Sequence, residues 1–98
     1  MKRVNYCQAW YDGNGMISYN TRIVNIETKF DNTLLYKVTL VNYRSMTTLS
    51  HIRKYIELLE KQGNYGLAWI VQKLYDVAKK HKTANRVIWE WDGRIRVE

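Results

Sequence analysis

Apolar and polar side chains alternate along RVNYCQAWY (3–11), with Val4, Tyr6, Gln8 and Trp10 in one phase and Asn5, Cys7, Ala9 and Tyr11 in the other. That is the period of a strand, and the glycines of Asp12-Gly13-Asn14-Gly15 suit a hairpin turn after it. MISYNTRIVNIETKF (16–30) places Ile17, Tyr19, Thr21 and Ile23 in one phase, then moves the apolar phase to Val24 and Ile26. Such a slip predicts a bulge or a strand buried on both faces. After Asp31-Asn32-Thr33, LLYKVTLVNY (34–43) turns Leu34, Tyr36, Val38 and Leu40 inward and Lys37 and Thr39 outward, a third strand.

The period then lengthens to that of a helix. In TTLSHIRKYIELLEKQG (47–63), Thr47, Thr48 and Ser50 are N-cap candidates, Leu49, Ile52, Tyr55, Ile56 and Leu59 share one arc, and Gly63 stops the run. A second helix opens at Asn64, with Leu67, Ile70, Val71, Leu74, Val77 and Ala78 along one stripe. Its last turn, Lys79, Lys80, His81 and Lys82, complements the negative end of the helix dipole. The short Gly63-Asn64 link predicts an antiparallel helix pair. Strands at 86–91 and 94–98 close the chain. The expected fold is α+β: a single domain over residues 1–98, two layers in the order β-β-β-α-α-β-β, with a mainly antiparallel sheet and the helical hairpin on one face.

A chain of 98 residues that is 46% hydrophobic and 13% aromatic can bury one core, which excludes a disordered segment. Sixteen Lys and Arg against nine Asp and Glu give +7, a balance that favours anionic partners such as nucleic acid or an acidic protein surface. One cysteine, Cys7, excludes an internal disulfide and suits a reducing, cytoplasmic setting. Asn5, Gln8 and Asp12 interrupt any apolar leader, and no run approaches the roughly 18 apolar residues of a membrane span. No membrane partner is expected.

Catalytic chemistry is sparsely provided. Two histidines and one cysteine form no cluster with the spacing of a metal site or a nucleophile and base, so no catalytic residue, metal or cofactor is expected. Glu57 and Glu60 flank Arg53 on one helical arc as a surface ion pair, His51 suits capping or packing, and Cys7 suits a small core position. A metal-independent ribonuclease using Arg, Lys, Tyr and His remains as a third functional reading. Messenger-cleaving toxins of this size, however, typically place helices before the main sheet.

Surface chemistry is richer. Setting Leu67 at zero, Trp69 falls at roughly 200° and Tyr65 at roughly 160° around the second helix, away from the apolar stripe. They are candidate partner-binding anchors. Lys73, Lys79, Lys80, Lys82 and Arg86 form a candidate phosphate-binding set, or else an ordinary solvated helix end. In RVIWEWDGRIRVE (86–98) a two-residue Asp92-Gly93 turn would pair Trp91 with Arg94 and Trp89 with Arg96, an outward ladder able to stack on bases or clamp an acidic protein. A turn longer by one residue would instead put Trp89 and Trp91 with Ile95 and Val97 on the buried face. Both registers stay open at this level.

ISYNTRIV (17–24) followed by SMTTLSHIRKYIE (45–57) resembles a group of small uncharacterised proteins encoded by bacteriophages and prophages. Ser18, Tyr19, Thr21, Thr47, Thr48, His51 and Ile52 carry the likeness. It implies a phage accessory protein acting inside a bacterial cell, with no activity attached to those residues. Small phage proteins without catalytic machinery often act by stoichiometric binding, as anti-CRISPR inhibitors do. The leading expectation is therefore an anti-defence inhibitor, a monomer or small homo-oligomer, that binds a bacterial host or defence protein or its nucleic-acid complex. The alternative is a direct nucleic-acid-binding protein with a basic, Trp-rich surface.

Overall fold

The computed structural model describes residues 1–29 and 35–98. Phe30, the expected Asp31-Asn32-Thr33 turn and inward Leu34 lie outside the described residues. Seven strands form one sheet in chain order, each antiparallel to the next: β1 (Lys2–Arg3), β2 (Ala9–Asp12), β3 (Gly15–Ser18), β4 (Thr21–Thr28), β5 (Tyr36–Val41), β6 (Arg86–Trp89) and β7 (Ile95–Val97). Helices α1 (Met46–Lys61) and α2 (Tyr65–Lys80) fall between β5 and β6 and pack together on one face of the sheet. The fold is α+β, with a helical hairpin on an antiparallel sheet.

Five strands precede the helices where the alternation predicts three, because two of the long runs each fold back on themselves. The first turns at Asn5-Tyr6, with φ of +41° and +60°, and the Cys7 N–H donates to the Val4 carbonyl at 3.0 Å. The second turns at Tyr19-Asn20, where Tyr19 holds φ +55° and Ser18 pairs with Thr21. Neither turn contains glycine or proline, the residues on which turn signals chiefly rest. Cys7 consequently follows a turn, half-buried, with its thiol donating to the Val4 carbonyl at 2.8 Å, and is not a core strand residue.

The slip of apolar phase in the second run is a bulge. Met16 pairs with Val24 and Ile17 with Arg22, so Ile23 is the extra residue, and both Ile23 and Val24 are buried. Ala9, Met16, Val24, Val38, Leu40 and Val87 meet the helix stripes Ile52, Tyr55, Ile56, Leu59 and Leu67, Ile70, Val71, Leu74, Ala78 in one core. Leu49 and Val77 sit at its margin, half-buried. The N-cap of α1 is Ser45, ahead of the three expected candidates; its hydroxyl accepts the N–H groups of Thr47 and Thr48 at 3.2 and 3.4 Å.

Polar contacts join the layers at the end of the molecule where α1 starts. The Ser18 hydroxyl and His51 Nδ1 are 2.7 Å apart, both residues are buried, and the Tyr19 ring lies 5.5 Å from the imidazole. Tyr43 reaches the carbonyls of His81 and Ala84 at 3.1 and 3.0 Å, which ties the segment before α1 to the one after α2. Among the described residues no buried side-chain nitrogen or oxygen lacks a hydrogen bond, and no helix is long and apolar enough to cross a membrane.

Two predictions test this frame. Gly15 has φ +127°, and a Cβ there would lie 1.9 Å from the Val24 carbonyl oxygen. Gly15→Ala is therefore expected to cost more than about 2 kcal/mol, read from the urea midpoint. Burial, reinforced by the Lys54 charge, holds the His51 pKa below its ordinary 6.5. The folded state disfavours protonation, so this contribution to stability is complete above pH 6.5 and shrinks as pH falls through the lowered native value. Urea midpoints measured from pH 7.5 downward should drop below 6.5 in the native chain, and the drop should diminish in His51→Gln.

Candidate functional site

Helix α2 opens with Tyr65 and carries Trp69 one turn later on the same face, 68% and 54% exposed. The Trp69 ring meets Trp89 of β6 edge to face, with centroids 5.3 Å apart and planes at 86°. The Lys73 ammonium stands 5.3 Å from the Trp69 ring centre, and the Lys29 ammonium 5.1 Å from that of Trp91. Each cation sits within reach of an aromatic face. Helix and sheet thus bring Trp69, Trp89 and Lys73 to one region, with Tyr65 continuing it along α2, while Lys29 and Trp91 form a second cation-aromatic contact at the closing hairpin.

The register of the closing hairpin decides which side chains join that region. Trp89 pairs with Ile95, Ile88 with Arg96 and Val87 with Val97. The turn spans Glu90 to Arg94, closed by Glu90 N–H to Arg94 O at 2.8 Å and Gly93 N–H to Glu90 O at 3.0 Å. The longer of the two turns is the one present, and the Trp89-Arg96 and Trp91-Arg94 ladder does not form. Gly93 supplies φ +87° for it, and the register lets Trp89 rest half-buried against Trp69 rather than stand in water.

Arg96 consequently lies on the opposite face from Trp89. It is engaged there by Glu90 at 3.0 Å and Glu98 at 3.2 Å, while Arg86 also pairs with Glu98. Arg94 pairs with Asp92 at 2.6 Å, and its hydrogen bonds hold the Asp92 carboxyl below the usual range. Three arginines are thus matched by three carboxylates, which leaves the hairpin electrically balanced. The set Lys73, Lys79, Lys80, Lys82 and Arg86 is not one patch either. Lys73 is committed to Trp69, about 9 Å along the helix axis from Lys79. Lys79 lies over Tyr75 at 5.3 Å, and with Arg44 and Lys82 it rims a separate apolar notch of about 310 Å³ floored by Tyr43, Leu49 and Ala78.

Other places with chemical character are closed or occupied. Ser18 and His51 have the spacing of a nucleophile and base, but they are 3% and 4% exposed, so no substrate reaches them. Three of the residues that carry the phage-protein likeness, Ser18, Tyr19 and His51, therefore meet at a packing contact. A cleft of about 540 Å³ between the β2–β3 turn and the α1–α2 link is lined by Tyr11, Asp12, Tyr36, Tyr55 and Gln62. Its carboxylate, Asp12, is held below the usual range by the Arg22 guanidinium at 2.9 and 3.1 Å, and burial raises the Tyr55 hydroxyl. Among the described residues no group of three or more His, Cys, Asp or Glu could hold a metal ion.

Comparison of the chain with protein-family models, with curated proteins and with solved structures finds no match. The aromatic region rests on its own geometry. Sequence reasoning found Tyr65 and Trp69 from helical period, and it missed that Ile95 and Val97, across the ladder from Trp89 and Val87, stay 37% and 39% exposed.

Truncation should separate the two central rings. Trp69→Ala is expected to cost about 1 kcal/mol, the scale of an aromatic pair with modest burial, whereas Trp89→Ala should cost about 3 kcal/mol because its ring fills space against the core. Urea denaturation of both variants gives the comparison.

Proposed function

We propose that the chain is a non-enzymatic binding protein whose contact surface is built on Tyr65, Trp69, Trp89 and Trp91. The observation that carries this reading is exposed Trp69 held against half-buried Trp89. An indole held edge-on to another at the surface, with a lysine over its face, is preorganised and half-desolvated before any partner arrives. Tryptophan in that state is the side chain that most often dominates a protein interface. The surrounding charge supports an acidic partner: residues 44–82 carry eight basic and three acidic side chains, so most of the +7 lies in the helices and their flanks.

Together with the resemblance carried by Ser18, Tyr19, Thr21, Thr47, Thr48, His51 and Ile52, these features support a phage accessory protein. It acts in a bacterial cytoplasm by stoichiometric binding to a host or defence protein, as an anti-CRISPR-like inhibitor. Direct nucleic-acid binding is the less favoured reading, because Arg86, Arg94 and Arg96 are spent on carboxylates and Lys73 stands apart from Lys79 and Lys82.

Affinity capture of the tagged protein from a bacterial lysate, with and without nuclease, tests this. A stoichiometric protein partner that survives nuclease and is lost from Trp69→Ala is the expected outcome. Recovery of nucleic acid alone, abolished by nuclease and by raised salt, would overturn the reading.

A further inference from the structure

The notch of about 310 Å³ between the start of α1 and the end of α2 joins a recessed apolar floor to a rim of cations. On the floor Tyr43 and Ala78 are buried and Leu49 is half-buried, and exposed Met46 borders it. The Tyr43 hydroxyl donates to the carbonyls of His81 and Ala84 at 3.1 and 3.0 Å, so its hydrogen is committed and the floor side chains present no free donor.

Arg44, Lys79 and Lys82 make the rim, and all three are exposed. Arg44 Nη2 donates to the Thr83 and Ala84 carbonyls at 3.1 and 3.2 Å, which holds the guanidinium in place without neutralising it. Lys79 stands 5.3 Å from the Tyr75 ring centre. None of the three joins an ion pair among the described residues. Neither 42–56 nor 77–89 contains an aspartate or glutamate, and Asp76, the acid nearest along α2, is bonded to Gln72 at 3.0 Å. The positive end of the α1 dipole and the negative end of the α2 dipole meet here and offset each other, so the side-chain charges set the sign.

We infer that the notch binds a free amphipathic anion of the fatty-carboxylate class, its alkyl body on the floor and its head among Arg44, Lys79 and Lys82. Volume sets the length: at roughly 30 Å³ for a group the size of water, there is room for about ten such groups. A bare phosphate leaves the apolar floor unfilled, and a sugar or base sets polar groups where the side chains offer no donor. A leucine or valine of a partner protein fills fewer than half of those places. A flat bilayer surface does not reach side chains as recessed as Tyr43 and Ala78, which are 3% and 1% exposed. The site is separate from the Trp69 surface and does not depend on it.

The probe is decanoate below its micelle-forming concentration, titrated into the whole chain by calorimetry, with the Leu49 and Ala78 methyl signals in NMR spectra locating it. Decanoate is expected to bind, to shift both signals, and to exceed decyltrimethylammonium, the same tail under the opposite charge, by about tenfold or more in affinity. Hexanoate should bind about tenfold or more weakly than decanoate, because it buries fewer methylenes. Lys82→Glu should weaken decanoate binding about tenfold. Lys61→Glu, which makes the same change in net charge about 18 Å along α1 from Leu49, should leave it unaltered. Met46→Glu sets a carboxylate beside the notch while adding a favourable charge to the first turn of α1, so it should lower decanoate affinity without lowering the urea midpoint.

Absence of decanoate binding, shifts confined to other methyl groups, or equal affinity for decanoate and either decyltrimethylammonium or hexanoate would overturn the inference. Equal losses in Lys82→Glu and Lys61→Glu, or undiminished affinity in Met46→Glu, would do the same. Inorganic phosphate binding as tightly as decanoate would reduce the notch to a charged patch. Binding to phosphatidylglycerol vesicles with none to monomeric decanoate would make this end a membrane-contacting surface and end the free-ligand reading.

Discussion

Two helices cannot cover seven strands, and much of this molecule follows from that mismatch of widths. Six inter-strand gaps span about 29 Å, whereas two helices side by side span about 20 Å. Helix α2 lies on β5 and β6, and α1 packs toward β3. The short edge strands β1 and β7 are left beyond the helical layer. Val87 in β6 is completely buried, while its cross-strand partner Val97 is 39% exposed. Trp69 and Trp89 mark the boundary between covered and uncovered sheet.

The two faces of the closing hairpin solve exposure differently. On the outer face, Arg86, Arg96, Glu90 and Glu98 form a chain of ion pairs beside buried Ile88, a solvated and charge-balanced surface. Such pairs contribute little stability each, but they leave no cation free to attract phosphate there. On the inner face Trp89 packs against Trp69 of α2, while Ile95 and Val97 of β7 stay partly exposed. An edge of only three residues with charged Arg96 at its centre resists indiscriminate strand pairing.

The opposite end of the molecule is organised for cohesion. Tyr19 accepts a positive φ so that the β3–β4 turn brings Ser18 and its own ring onto His51 of α1, and Tyr43 and Arg44 hold the carbonyls of residues 81–84. The exposed aromatic surface and the structural lock are thereby separated along the strands. The histidine that sequence reading assigns to packing sits in the lock, and the tryptophan it assigns to the surface sits at the open edge.

Class, helices and bulge were legible because each rests on local periodicity. The stripes of α1 and α2, the buried Val38 and Leu40, and the phase slip at Ile23 could be read from spacing, since burial on one face imposes a period on the chain. The turns at Asn5-Tyr6 and Tyr19-Asn20 were not legible, because asparagine and tyrosine signal positive φ far less strongly than glycine does. The hairpin at Asp92-Gly93 admitted two registers on sequence alone. Tertiary structure chose between them: only the presence of α2 gives Trp89 a ring to pack against, and that contact fixes which residues face water. The sequence by itself determined the fold class, the two helices and the bulged strand, through period and composition. Which faces remain open was decided by the fit of two helices on seven strands, a relation between segments far apart in the chain that no local pattern encodes.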